Sequence, residues 1–199
     1  MYIENKRTGF RLNLLVPVGL LTVFLINGFF PSLVMLLAAA FHEAGHILCA
    51  LVVGAPIVRF DIELWGGRMY YGGMLGYKQE ILVSLGGIIA NLLVAPLGLI
   101  PIFGMYGKLF YYSCFCYALV NIIPVKSLDG GELFRCVMRL ISDPFTAERA
   151  ENAVNVFSVL FFVVAGLMVS LISGFNSSVV FLVFFSVIVF ATEQKKTWC

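Results

Sequence analysis

The sequence predicts an all-α polytopic membrane protein with about six transmembrane helices and a small β-hairpin between the second and third. Composition is the first observation behind this class, because hydrophobic residues make up 61% of the 199 residues and charged residues 12%. Soluble domains have roughly 45–50% apolar residues and about 25% charged residues. The second observation is a mean hydropathy of +0.99. The third is a series of apolar runs close to the roughly 20 residues that cross a bilayer.

Composition and charge also exclude several classes of protein. A chain of this size cannot bury so many apolar side chains in one water-facing globule, which excludes a soluble enzyme and a disordered tail. The net charge is +2 and no run of about five or more basic residues occurs, so no nucleic-acid partner is expected. The five cysteines form no CxxC pair and are expected to be small hydrophobic residues rather than a disulfide framework.

The transmembrane helices are predicted from the apolar runs in chain order. Pro31 opens the second run and Pro124 closes the fourth, since proline interrupts a helix except in its first turn. The polar stretches are too short to hold a separate soluble domain, so residues 1–199 are expected to form a single membrane-embedded domain. The predicted spans are Leu12–Phe30, Pro31–Val53, Ile81–Phe103, Leu109–Ile123, Ala153–Ser173 and Val179–Ala191.

The positions of Lys and Arg predict the orientation of the chain. With six spans, all 13 of these residues except Lys108 fall on one side of the membrane. Lys and Arg are enriched in cytoplasmic loops. We therefore expect a multi-pass protein of the cell membrane with both termini in the cytoplasm.

The segment between the second and third spans is predicted to form a β-hairpin. Residues 58–64 alternate apolar and charged side chains, which is the period of a half-buried strand. Gly66-Gly67 fits a two-residue turn and Arg68–Tyr71 the returning strand. Two interpretations are open: a cover on the helical bundle, or an open strand edge on which an extended substrate segment pairs.

The only two histidines lie four residues apart in His42-Glu43-Ala44-Gly45-His46, inside the second predicted span. On a helix this spacing places both imidazoles on one face, one turn apart, where they can hold one zinc ion. Glu43 is rotated about 100° from His42 and can act as a general base without being a ligand. Ionisable groups are costly within a membrane span, so their presence there indicates a function.

A catalytic zinc site uses three protein ligands and a water, so the two histidines require a third residue. Cys49 is three residues after His46, but three ligands on one straight helix do not readily surround a tetrahedral ion. Asp129 is the better candidate, because the chain after Pro124 returns to the half of the membrane that holds the histidines. The alternative is that Asp129-Gly130-Gly131 is an ordinary turn after a span.

Taken together, these residues resemble the site-2 protease family of intramembrane zinc metalloproteases. Six spans resemble its bacterial branch, which includes the sporulation pro-sigma-factor processing protease. The matching segments are His42–His46, Gly87-Ile88-Ile89-Ala90-Asn91, and Asn121 with Pro124 and Asp129-Gly130-Gly131.

The resemblance implies the composition of the site. It implies one zinc ion per chain, held by His42, His46 and Asp129, with Glu43 as the catalytic base. In Lys126 and Ser127 this sequence departs from the family, which often has prolines there.

Two further expectations come from the resemblance alone. Asn91 and Asn121 are implied to lie near the site, where they position substrate or active-site backbone. Neither the nucleotide-sensing CBS module of the sporulation branch nor the PDZ insertion of other members is expected.

The predicted function is an intramembrane zinc metalloprotease that hydrolyses a peptide bond in or near a membrane-embedded segment of a substrate protein, as in regulated intramembrane proteolysis. The expected partners are the lipid bilayer and a membrane-anchored protein substrate, and the sequence leaves open whether a regulatory membrane protein also binds. The alternatives are a catalytically inactive protease-like scaffold and a metal transporter. Glu43 disfavours both, because binding and transport need no base beside the histidines.

Overall fold

The structure is a computed structural model that describes residues 2–5, 10–13, 15–63 and 66–172. The chain divides into two compact units, Met1–Asn121 and Ile122–Cys199, which are described in turn. Helices dominate the described residues and a small sheet accompanies them, which confirms the predicted fold class. The prediction of a single domain stays a prediction.

Four α-helices and four strands form the described part of the first unit. The helices are α1 (Leu15–Asn27), α2 (Phe29–Val52), α3 (Tyr77–Val94) and α4 (Gly104–Asn121). The strands are β1 (Tyr2–Asn5), β2 (Phe10–Asn13), β3 (Ile57–Glu63) and β4 (Gly66–Tyr71). Two short 3-10 helices follow α3, each with a proline near its start. Because proline lacks the N–H that an α-helix needs, α3 ends before the predicted Phe103.

A glycine separates α1 from α2. Gly28 has φ 82°, a left-handed conformation that favours glycine, and the Ser32 hydroxyl donates back to its carbonyl at 2.6 Å. The predicted start of the first span at Leu12 was wrong, because Leu12 belongs to β2 and pairs with Ile62. Helix α1 has only 13 residues, which rise about 20 Å.

The four strands form one sheet in the order β1-β2-β3-β4. The pairs β1–β2 and β3–β4 are antiparallel, and β2–β3 is parallel. The β3–β4 hairpin was predicted, but its turn was not: Gly66 and Gly67 lie within β4 and pair with Glu63 and Ile62. Residues 64–65, between the two strands, lie outside the described residues.

On β3 an apolar side chain is exposed and a charged one is buried, which is the reverse of the usual pattern for a strand with alternating apolar and charged residues. Val58 is 58% exposed, whereas Asp61 is 3% exposed. The Nε of Arg59 donates to Asp61 at 2.6 Å, and the guanidinium lies 4.7 Å from the centre of the Tyr70 ring. A buried carboxylate needs such a partner, and this one lies two residues away on the same strand.

The backbones of α2 and α3 approach closely at a pair of glycines. A Cβ at Gly86 would lie 2.6 Å from the carbonyl oxygen of Gly45 and 2.8 Å from the sulfur of Cys49. A Cβ at Gly45 would overlap the Gly86 carbonyl and lie 2.5 Å from Cβ of Ala90. The two helices therefore pack backbone to backbone at this level.

The described part of the second unit contains α5 (Asp129–Ile141) and α6 (Pro144–Ile172). Helix α6 begins well before the predicted Ala153, because Asp143 caps it: the Thr146 N–H donates to Oδ2 of Asp143 at 2.9 Å. Hydrogen bonds from the side chain and backbone of Thr146 hold the pKa of Asp143 below its ordinary value.

Three helices of the described chain are long and apolar enough to cross a membrane by length and composition, and α1 is a shorter apolar helix. The three long helices overlap the second, third and fifth predicted spans, and α4 covers most of the fourth. The sixth, Val179–Ala191, lies outside the described residues. The three helices are Phe29–Val52, Tyr77–Leu99 and Pro144–Met168.

The glycine contact yields a first test. We expect Gly45→Ala to destabilise the protein by about 1–3 kcal/mol, because the added methyl group forces the two helix backbones apart. The measurement is the midpoint of thermal unfolding in detergent. Gly73→Ala is the matched control, since its Cβ meets nothing within 4 Å. Equal midpoints for the two variants would contradict the close approach.

Candidate metal centre

Two buried imidazoles face each other on α2. His42 and His46 are one helical turn apart, and 4% and 7% of their surfaces are exposed. Their Nε2 atoms are 3.1 Å apart, and the rings meet edge to face with centroids 4.7 Å apart. Ring nitrogens that converge in this way could serve as two ligands of one metal ion.

A backbone carbonyl determines the proton position on His46. Its Nδ1 lies 2.7 Å from the carbonyl oxygen of Val83 on α3. Because a carbonyl oxygen only accepts, we assign the proton of the neutral ring to Nδ1, which leaves the Nε2 lone pair on the side of His42. Such a partner on the second ring nitrogen is the usual support of a metal-binding histidine.

Asn91 takes the corresponding place beside His42. It is fully buried on α3, and its amide nitrogen is 3.4 Å from Nδ1 of His42. Its Oδ1 has no hydrogen-bond partner within the described part of the chain. Nitrogen and oxygen of an amide are assigned from their hydrogen bonds, and exchanging them gives Nδ1–H of His42 an acceptor. The Nε2 lone pair of His42 is then available to a metal.

Space around the two nitrogens depends on Gly87 of α3. A Cβ there would lie 2.8 Å from Nε2 of His42 and would overlap Nε2 of His46. The missing side chain leaves room where the ligand atoms converge. Two imidazole donors with this space beside them fit a zinc ion.

The carboxylate of Glu43 is held by the hairpin. Its Oε1 accepts a hydrogen bond from the Gly67 N–H of β4 at 3.1 Å. Its Oε2 is buried without a hydrogen-bond partner among residues 15–63 and 66–172, and a Cβ on Gly67 would lie 2.5 Å from it. One oxygen is therefore anchored and the other can still accept a proton.

The remaining candidate residues are Asn121, Cys49 and Asp129. Asn121 ends α4, and its amide donates to the carbonyl of Tyr117 in the same helix at 3.1 Å. Cys49 packs against an apolar cluster that includes Ala50. Asp129 is the first residue of α5, in the second unit, and its role as a third ligand stays a prediction.

Three contacts of the site were not predicted from the sequence. The carbonyl of Val83 and the N–H of Gly67 are backbone groups, so no residue type could signal them. The ring of Tyr117 lies 5.9 Å from that of His42. Tyr117 is one helical turn before Asn121, and the shared face of α4 was the available signal.

Comparisons with known proteins agree with this fold. No protein-family model matches the sequence, and no curated protein matches it either. Among solved structures, the fold is similar to that of a site-2 protease from Methanocaldococcus jannaschii, with a TM-score of 0.65 over 98% of this chain and 94% of that one. The two sequences are 17% identical, so the likeness shows a shared fold.

The contact between Asn91 and His42 yields a second test. We expect Asn91→Leu to lower the zinc affinity about 10- to 100-fold, because the imidazole loses the group that orients it. The measurement is competition for zinc with a chelator of known affinity in detergent. Asn91→Asp keeps an acceptor for Nδ1–H and is expected to retain most of the affinity. Equal affinities for the leucine variant and the wild type would remove the orienting role.

Proposed function

We propose that this chain, which shares its fold with a site-2 protease, is an intramembrane zinc metalloprotease. Its reaction would be hydrolysis of a peptide bond in or near a membrane-embedded segment of a substrate protein. Fold alone does not establish an activity. The observation that carries the proposal is the convergence of two buried imidazole nitrogens beside a carboxylate with one anchored oxygen.

The zinc ion would be held by Nε2 of His42, Nε2 of His46 and the carboxylate of Asp129. The geometry on α2 supports the two histidines. Asp129 is supported by the Asp-Gly-Gly segment that resembles the family and by the need for a third protein ligand. Bound zinc would activate a water molecule and polarise the scissile carbonyl.

Glu43 would move the proton during hydrolysis. Its Oε2 would take a proton from the attacking water as the new C–O bond forms, and return it to the amine nitrogen as the C–N bond breaks. The N–H of Gly67 holds Oε1. This hydrogen bond would keep the carboxylate in one orientation while Oε2 gains and loses the proton.

The outer edge of β4 is the proposed place for an extended substrate segment. β4 is the last strand of the sheet, and an edge strand offers unpaired backbone groups to another strand. The Gly67 N–H donates to Glu43, so this side of β4 faces the carboxylate. Alternate residues of a strand point their backbone groups the same way, so Met69 would offer the next pairing group beside the base.

The Glu43 contact also separates this proposal from its two alternatives. A metal transporter or an inactive scaffold could use the histidine pair, but neither uses a carboxylate held for proton transfer beside it. We therefore favour a protease, and the scaffold remains an outcome of the experiment below.

We further propose a multi-pass protein of the cell membrane with both termini in the cytoplasm, on the distribution of Lys and Arg. Its partner would be a membrane-anchored protein whose cut fragment leaves on the cytoplasmic side. For Asn121, a role in positioning substrate or backbone rests on the resemblance.

Co-production with a panel of epitope-tagged single-span membrane proteins tests the activity. We expect the wild-type chain to convert at least one of them to a shorter fragment, and Glu43→Gln to reduce the rate by at least about 100-fold, because the base is lost. Immunoblotting of the tag measures both. Exposed Glu148 on α6 provides the matched control, Glu148→Gln.

Two outcomes would contradict the proposal. Cleavage at the wild-type rate by Glu43→Gln removes Glu43 as the base. A wild-type chain that binds zinc and captures panel proteins without cutting any favours the scaffold.

A further inference from the structure

The loop of residues 122–128, which precedes Asp129, is attached to α6 by a hydrogen bond. The backbone N–H of Lys126 donates to Oδ1 of Asn155 at 2.9 Å, and Asn155 is 7% exposed. Backbone N–H groups in buried surroundings need a partner. The side-chain amide of Asn155 supplies it in a loop that has no sheet or helix ladder of its own.

The side chain of Lys126 makes a second attachment to the same helix. Its Nζ donates to Oδ1 of Asn152 at 2.6 Å and lies 3.6 Å from Oε1 of Glu151. These two residues are three and four positions before Asn155, and therefore on the same side of α6. Backbone and side chain of one loop residue are thus both bound to one patch of α6.

The loop and the start of α5 form one closely packed piece of backbone. The Leu128 N–H donates to the carbonyl of Val125 at 2.8 Å, and the Gly131 N–H donates to the carbonyl of Leu128 at 3.0 Å. A Cβ at Gly131 would overlap the Val125 carbonyl, and a Cβ at Gly130 would overlap the backbone of Ile122. A shift of the loop therefore shifts the residue at the start of α5, which is Asp129.

We propose that Asn155 is a positioning residue that sets the place of the Asp129 carboxylate by holding the N–H of Lys126. The inference rests on the proposed function, in which Asp129 is a zinc ligand. Asn155 touches neither substrate nor metal in this proposal. Its effect passes through the loop.

The sequence of the turn explains why such an anchor is needed. Lys126 and Ser127 are the two central residues of the turn closed by Leu128 and Val125. Proline at the first of these positions would fix φ and stiffen the turn, but proline has no N–H to donate. In this chain the hydrogen bond to Asn155 restrains the loop in place of a proline ring.

Zinc affinity of the purified full chain in detergent tests the proposal. We expect Asn155→Leu to lower the affinity about 10-fold, as the loss of an outer support does, and Asn155→Asp to restore most of it by keeping Oδ1. Lys126→Gln keeps the backbone N–H that Asn155 holds but loses the ion pair with Glu151, so we expect a smaller loss of affinity than in Asn155→Leu. Ser158→Ala is the matched control, a buried polar residue one turn farther along α6.

Thermal unfolding of the zinc-free proteins separates positioning from folding. A role confined to folding would lower the unfolding midpoint of Asn155→Leu and leave the zinc affinity of its folded fraction unchanged, which would overturn the proposal. An equal loss of affinity in Asn155→Asp and Asn155→Leu would also overturn it. Should the leucine variant not fold, Asn155→Ala deletes the acceptor without placing a bulky apolar group against the loop.

Wild type and His46→Ala serve as references for the proposed function. Zinc binding that His46→Ala abolishes and Asn155→Leu leaves unchanged refutes only the role of Asn155. A wild-type chain without zinc affinity refutes the metal site itself, and with it the inference that depends on it.

Discussion

The direct contact of two helix backbones at Gly45 and Gly86 is the constraint on which the histidine pair depends. Because neither residue has a side chain, α3 comes close enough to α2 for the Val83 carbonyl to reach Nδ1 of His46 at 2.7 Å. The same approach brings Asn91 beside the other imidazole. Backbone contacts of this kind are common where helices pack through small residues in membranes. A larger residue at either glycine would separate the rings from the groups that orient them.

Much of the helical fold could be predicted because a membrane span is a local property. A run of apolar residues must be about as long as the hydrocarbon layer is thick, and the second, third and fifth predicted spans match candidate spans of the structure. The early end of α1 and the sheet could not be predicted in the same way. Strand β2 pairs with β3 across fifty positions of sequence, and the break at Gly28 depends on a backbone conformation that many glycines do not adopt.

In the candidate site, too, features set by local sequence could be predicted and features set by tertiary packing could not. The spacing of His42 and His46 fixed their shared helix face, so their meeting followed from helical geometry alone. The groups that orient the site came from tertiary packing. They are a backbone carbonyl of α3, the side-chain amide of Asn91 on the same helix, and the hairpin N–H that holds Glu43. Two of these three are backbone groups, which any residue type carries. Sequence patterns therefore reveal the reacting groups more readily than the groups that orient them.

Zinc K-edge X-ray absorption on the purified full chain tests the central claim most directly, because it reports which atoms surround the metal. The account predicts one zinc ion per chain with two imidazole nitrogens and oxygen ligands in its shell. It also predicts that replacing both His42 and His46 by alanine removes the metal. Sulfur in the shell, which would point to a cysteine such as Cys49, or an unchanged zinc content in the double variant, would contradict it.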